Sequence, residues 1–201
     1  VLRGNGTVLV IAGGGGGAVG QQSGLGSHVP AVRGATAGGW RARDVHFGNV
    51  KLDSWWYPNE TLGPFDTAEW VVPPAGLMEW DARADVLPDG IAHLRARLGN
   101  PTLTTHCRHL AAASPYVEEF DCWIDGAQAH PKTADLYERW LDQAQQWGVE
   151  TFEHDWLIVC FLGMRALREV PGRAREWQEG VDRAAAERGM TLQWCMATAA
   201  D

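Results

Sequence analysis

The chain has 201 residues, of which 45% are hydrophobic and 21% charged. That is enough for one domain with a real core and ordinary for a globular protein. Its formal charge of −8, with no Lys/Arg-rich run, argues against a nucleic-acid or anionic-membrane surface and leaves neutral or cationic substrates open. No apolar stretch is long enough to span a membrane.

Residues 1–40 are rich in Gly and small side chains. Residues 7–12 predict a short strand. Gly15, Gly17 and Gly20 then satisfy the G-x-G-x-x-G pattern of dinucleotide sites. That pattern needs a helix to open at the glycines, and Gly24, Gly26 and Pro30 break one. A loop, or the remnant of a preceding β domain, is the stronger reading. Residues 41–201 have the texture of a separate unit. Residues 45–53 (VHFGNVKLD) predict a buried strand ending in an acid, followed by Ser54, Trp55, Trp56 and Tyr57. Residues 58–88 form a long connection punctuated by five prolines, and such connections are usually functional or carry structure of their own. Residues 89–98 predict a helix stopped by Gly99.

Residues 102–106 predict the next strand, running into Cys107, Arg108 and His109. A loop-rich insertion covers 111–131, with a short strand at 119–124. Residues 133–147 predict a helix capped by Thr133 and ended by Gly148. A strand at 149–152 leads into Glu153, His154 and Asp155. A helical segment at 157–169 is interrupted near Pro171, a second helix covers 174–187, and the last strand is 190–196. Strands alternating with helical crossovers imply an α/β fold with a parallel sheet.

In parallel α/β folds ligands bind at the carboxyl ends of the strands. Those ends are Asp53-Ser54-Trp55-Trp56, His106-Cys107-Arg108-His109, Glu153-His154-Asp155-Trp156, and Cys195 onward. A purely structural sheet has no need of acids, imidazoles and guanidiniums at successive strand ends. Thr151, Glu153 and Asp155 share one face by alternation, with Asp155 nearest the mouth. A carboxylate there can attack an anomeric carbon or stabilise an oxocarbenium ion. Glu153 would bind a sugar hydroxyl or act on Asp155 by like-charge repulsion; capping of the next helix is the alternative for both. Asp53 reads as a sugar-hydroxyl contact or a loop cap. His106 and Arg108 read as contacts to hydroxyls or an anionic substituent, or as structural hydrogen-bonders.

Eleven tryptophans fit core packing and also sugar stacking, because the apolar face of a pyranose lies on an indole. The four cysteines form no CxxC pair, and the histidines have no metal-ligand spacing. Neither a metal nor a cofactor is expected. Buried free thiols are the default; a Cys107–Cys122 disulfide is the alternative.

Several runs resemble the raffinose synthase and alkaline α-galactosidase group of (β/α)8-barrel glycoside hydrolases. Lys51 to Tyr57 (KLDSWWY) is similar to its Asp-Gly-Trp strand end. Leu87-Pro88-Asp89-Gly90 and Leu98-Gly99 resemble its "Phe-Pro-Asp-Gly … Leu-Gly" segment. Trp147-Gly148-Val149-Glu150 and Phe152-Glu153-His154-Asp155 resemble "Gly-Val-Asp … Val-Lys-Val-Asp", and Cys195-Met196 with Asp201 resembles "Cys-Met-Ser-His-Asn-Thr-Asp". The resemblance implies a retaining mechanism, with Asp155 as nucleophile and the general acid/base on a later strand, beyond Asp201. Glu153 stands where the group usually has Lys, and Ala199-Ala200 replaces a polar pair, which implies a related but distinct glycosidase.

The chain begins at Val1 without Met and ends at Asp201 within a pattern. The expectation is therefore a partial (β/α)8 TIM-type barrel with loop-rich insertions and a Gly-rich N-terminal segment, and an acid/base outside the chain. Asp155 would be catalytic. Asp53, Trp55, Trp56, His106, Arg108, Glu153, Trp156 and Cys195 would hold a carbohydrate. The open sheet edge of such a partial barrel would favour self-association. A nucleotide-binding α/β domain and a non-catalytic carbohydrate-binding protein are the alternatives.

Overall fold

A computed structural model describes residues 8–11, 48–60 and 75–197. The glycine run with Gly15, Gly17 and Gly20, residues 45–47 of the expected strand, and Ala199, Ala200 and Asp201 lie outside the described residues. The elements begin with β1 (Val8–Ile11), β2 (Asn49–Leu52), α1 (Gly90–Arg97), β3 (Thr102–Cys107) and β4 (Leu110–Ala111). Then come α2 (Tyr116–Glu119), β5 (Cys122–Asp125), β6 (Gln128–Pro131), α3 (Asp135–Trp147) and β7 (Val149–His154). The last are α4 (Leu157–Gly163), α5 (Arg165–Glu169), α6 (Arg173–Glu187) and β8 (Thr191–Trp194).

Strands β1, β2, β3, β7 and β8 pair in that order into one sheet, and every pair is parallel. Spatial order follows chain order without reversal. Helices make the crossovers from β2 to β3, from β3 to β7 and from β7 to β8, as parallel pairing requires. An antiparallel sheet of order β4-β6-β5 is inserted after β3.

Alternation gives the parallel sheet two unlike faces. Val50, Leu52, Leu103, Cys107 and Phe152 point to one side and join the hydrophobic core. The amphipathic helices cover that side: Ile91 from α1, Leu136, Trp140 and Leu141 from α3, and Val181, Ala184 and Ala185 from α6. Asn49, Lys51, Thr104, His106, Glu153 and Gln193 take the intervening positions and hydrogen-bond among themselves or with the groups at the strand ends. An acid or a lysine on the helix side would lose its hydration without a partner, so the sequence pattern fixes which face turns outward.

Trp80, fully buried, stacks on Trp140 with ring centroids 5.4 Å apart and donates its Nε1–H to the Trp140 carbonyl at 3.2 Å. Each fully buried aromatic or aliphatic side chain of this kind stabilises the fold by about 1.5–3 kcal/mol.

Several expectations need correction in detail. Thr133 does not cap α3; the N-cap is Ala134, without a side-chain hydrogen bond. Gly148 does end α3, in the left-handed conformation at φ 78°. The helical segment at 157–169 stops before Pro171, as expected, and has a further break at Met164, which is extended and buried. Gly163 approaches the Gln128 side chain so closely that a Cβ there would lie 2.4 Å from it. The insertion at 111–131 is more regular than expected, a short helix and a hairpin. Cys107 and Cys122 are both free thiols. Among the described residues, no helix is long and apolar enough to cross a membrane.

Candidate active site

The polar face ends in a cluster of ionisable groups at the carboxyl ends of β2, β3, β7 and β8. Asp155 follows β7 directly. Its amide donates to the Cys107 carbonyl at 2.8 Å, so the backbone stays bound to β3 one residue past the strand. Its Oδ1 accepts the Trp156 amide at 2.6 Å, and its Oδ2 lies 3.2 Å from His106 Nε2. Trp156 is left-handed at φ 61°, an uncommon conformation for a bulky residue that turns the chain sharply into α4. The Asp155 side chain remains 17% exposed. Burial works against its charge, but the His106 imidazole, the Trp156 amide and the Cys195 thiol outweigh burial and hold its pKa at about 2. Cys195 shows the reciprocal effect. Burial and the Asp155 carboxylate push its thiol up to about 11, so it stays protonated and acts as a donor.

Glu153 sits one step deeper on the same face, with its side chain 1% exposed. It accepts a hydrogen bond from Lys51 Nζ at 2.7 Å and from Gln193 Nε2 at 3.0 Å. Lys51 also lies 3.9 Å from Asp53 Oδ2, so one ammonium serves two carboxylates. Burial disfavours the charged amine, yet Glu153 and Asp53 outweigh it and raise its pKa. Asp53 takes the Ser54 amide on Oδ1 at 2.6 Å. Asp53 thus caps its own turn and keeps its other oxygen toward the cluster.

The sequence-expected residues do not all meet here. Asp53, His106, Glu153, Asp155 and Cys195 are linked through the contacts above, and Trp156 adjoins them, half-buried. Arg108 is buried and donates from Nη1 to the Ala75 carbonyl at 3.0 Å, tying β3 to the long connection. Trp55 and Trp56 are 3% and 0% exposed. Trp56 packs edge-on against Tyr57, Trp80 and Trp147. These two indoles fill the core and present no ring face to a sugar. Three residues of the cluster were missed: Lys51, Tyr57 and Gln193. The rule that selected Asp53 and Cys195 would have found two of them, because Lys51 and Gln193 lie two residues earlier on the same strands.

One group among the described residues has donor atoms close enough for a cation, Glu153, Asp155 and Cys195, all within 4.8 Å. Lys51 and Gln193 already occupy Glu153, and His106 and the Trp156 amide occupy Asp155. The protonated thiol is a poor ligand.

The same parallel sheet with its crossovers occurs in known structures. An α-galactosidase from Thermus thermophilus in complex with stachyose superposes with a TM-score of 0.54 at 18% identity, covering 99% of this chain and 42% of that one. The fold resembles that of α-galactosidases. The Thermus enzyme in complex with p-nitrophenyl α-D-galactopyranoside gives a TM-score of 0.56 at 16% identity, over 96% of this chain and 38% of that one. An α-galactosidase from Lactobacillus brevis gives 0.52 at 12% identity, over 85% and 24%. This chain thus spans about two fifths of the length of the Thermus enzyme. At such identities the likeness is one of fold. No protein-family model matches the chain, and no curated protein matches it in sequence.

Proposed function

We propose that this chain is the site-bearing part of a retaining glycosidase, built on a partial (β/α)8 barrel, with Asp155 as the nucleophile. One observation carries the reading. Asp155 is a partly open carboxylate at the carboxyl end of a parallel strand, held ionised by three donors. A nucleophile must be deprotonated, and a pKa of about 2 satisfies that at every physiological pH. Two features of the sheet favour a barrel over a doubly wound fold. Its core helices lie on the apolar face, and its strand order has no reversal. Without a reversal the described strands offer no switch-point crevice for a nucleotide.

In this mechanism a free lone pair on an Asp155 oxygen attacks the anomeric carbon. The bond to the leaving oxygen breaks, and that oxygen takes a proton from the general acid, which the resemblance assigns to a strand later than β8. Water then cleaves the glycosyl ester. Asp53, whose second oxygen faces the cluster, accepts sugar hydroxyls. Glu153 and Lys51 form the charged floor beneath them. Trp156 is the indole assigned to stack on the sugar, since Trp55 and Trp56 are buried in the core. Among the described strands β8 pairs on one side only, with β7. Its other edge is where a further strand or a second copy would bind.

The test is Asp155→Asn, assayed for binding and turnover of p-nitrophenyl α-galactoside and of other α- and β-glycosides. Loss of turnover on the order of 10³-fold or more with binding retained supports the nucleophile. Turnover that survives the substitution overturns it. Sugar binding by both forms, with no turnover by either, makes the protein a carbohydrate-binding one.

A further inference from the structure

Tyr57, His106 and Asp155 form a chain of contacts that runs from the core to the candidate nucleophile. Tyr57 OH lies 2.9 Å from His106 Nδ1, and the two rings are nearly parallel, at 13°. His106 Nε2 lies 3.2 Å from Asp155 Oδ2. The Arg108 guanidinium, held through Nη1 by the Ala75 carbonyl, lies near enough to Tyr57 to act on it electrostatically. Tyr57 and His106 are 0% and 1% exposed, so no solvent shell competes for these contacts.

The order of donors along this chain follows from its first member. The Tyr57 hydroxyl is buried, and His106 Nδ1 is its one hydrogen-bond partner among the described residues, so its O–H is directed there. Burial holds the phenol far above its ordinary pKa despite Arg108, so that proton is present to be donated. An imidazole that accepts at Nδ1 carries its proton on Nε2, the nitrogen facing Asp155.

We infer that Tyr57 is a positioning residue that fixes His106 as its Nε2–H tautomer, so that its proton is aimed at Asp155 Oδ2. The remaining titratable neighbours of His106 do not compete for that proton. His154 contributes an electrostatic contact and turns to Tyr137 on the other face of β7. Glu153, the register partner of His106, is held by Lys51 and Gln193. With His106 on Oδ2 and the Trp156 amide on Oδ1, both carboxylate oxygens have a fixed direction. The carboxylate is thereby oriented before any ligand arrives.

This inference rests on Asp155 being the reactive group, but its test needs no substrate. The full chain, labelled with ¹⁵N-histidine, is examined by NMR near neutral pH. The expected result for His106 is one protonated Nε2 and one unprotonated, hydrogen-bonded Nδ1. A proton on Nδ1, or on both nitrogens, overturns the inference without any variant. Tyr57→Phe removes one oxygen and keeps the ring. It is expected to bring the two His106 nitrogen shifts together as the tautomers mix; an unchanged pair of shifts also overturns the inference. In a separate arm, His106→Asn is expected to move the Asp155 carboxyl titration from about 2 up toward 3.8, and an unmoved titration removes His106 from the relay. If the tautomer is as stated and no glycoside is turned over, the relay stands and the glycosidase reading fails. If Asp155-dependent turnover accompanies the other tautomer, the reverse holds.

Discussion

Lys51 and Glu153 are the pair on which the floor of the site depends. They lie 102 positions apart in sequence and meet at 2.7 Å. Breaking a buried ion pair leaves an uncompensated charge, which costs more than the intact pair contributes. Lys51→Met leaves Glu153 with Gln193 as its remaining side-chain donor. The expected loss is about 3 kcal/mol, toward the lower end for such pairs because Lys51 keeps some exposure. Lys51→Met combined with Glu153→Leu is expected to recover most of that loss, since neither charge then remains buried alone. Urea titration of the four proteins reads this directly, and a double variant whose loss equals the sum of the singles would show that the two groups are uncoupled.

The same pair shows which part of the site was legible in the sequence. Alternation within a strand placed Glu153 and Asp155 on one face, and a strand end placed Asp53 near them. No local rule brings Lys51 to a residue on another strand; that requires the order and register of the sheet. The pair also bears on one of the two departures from the resembling group. Glu153 stands where the resemblance implies Lys, and in this chain Lys51 of β2 brings an ammonium to it at 2.7 Å. Trp55 and Trp56 failed for the opposite reason. Aromatic residues after a strand read as ligand-facing, but this turn folds them beneath the sheet into a cluster with Trp80 and Trp147.

At the scale of elements, strands β3 and β7 and helices α1, α3 and α6 fall within a few residues of their expected positions, because α3 and α6 have strong apolar periodicity and a glycine follows each of the three helices. Long-range contacts decide the rest. The connection before α1 reads as a loop because it lacks periodicity, yet Leu77 bridges to both Asn59 and Leu110. That contact needs Gly76, where a Cβ would lie 2.7 Å from the Ala111 Cα and N. Backbone atoms cannot swing aside as a side-chain tip can. Gly76→Ala is therefore expected to cost about 1–3 kcal/mol and to detach the connection from β4. Hydrogen exchange at the Leu77 and Ala111 amides, which bond to the carbonyls of His109 and Leu77, would rise with it. Unchanged exchange and stability would mean that the backbones do not approach this closely.

For the whole molecule, the apolar side of the sheet contains imidazoles as well as indoles, and this couples stability to pH. His154 packs among Tyr137, Trp177 and Trp194, and His130 packs edge-on to Trp177. Burial lowers the pKa of His109 to about 3, of His130 to about 4 and of His154 to about 3. In the unfolded chain each titrates near its ordinary value of 6.5. Between those limits the unfolded state binds protons that the native state does not, so stability falls as pH falls. Each histidine contributes up to about 1.4 kcal/mol per pH unit, and the three together up to about 4 kcal/mol per unit between roughly pH 6 and 4. Asp155 adds to this only at lower pH. Its depressed pKa of about 2, against 3.8, contributes stability that is full above 3.8 and is lost as pH falls toward 2. The histidines therefore govern the first acid transition. Thermal melts from pH 8 to 4 are expected to be level above pH 7 and to fall steeply below 6. His154→Phe, which keeps the aromatic contacts and removes the protonation site, is expected to reduce that slope by about one third, as one of three equal contributors. A melting temperature that stays flat to pH 5 would mean that these imidazoles take up protons without unfolding the core.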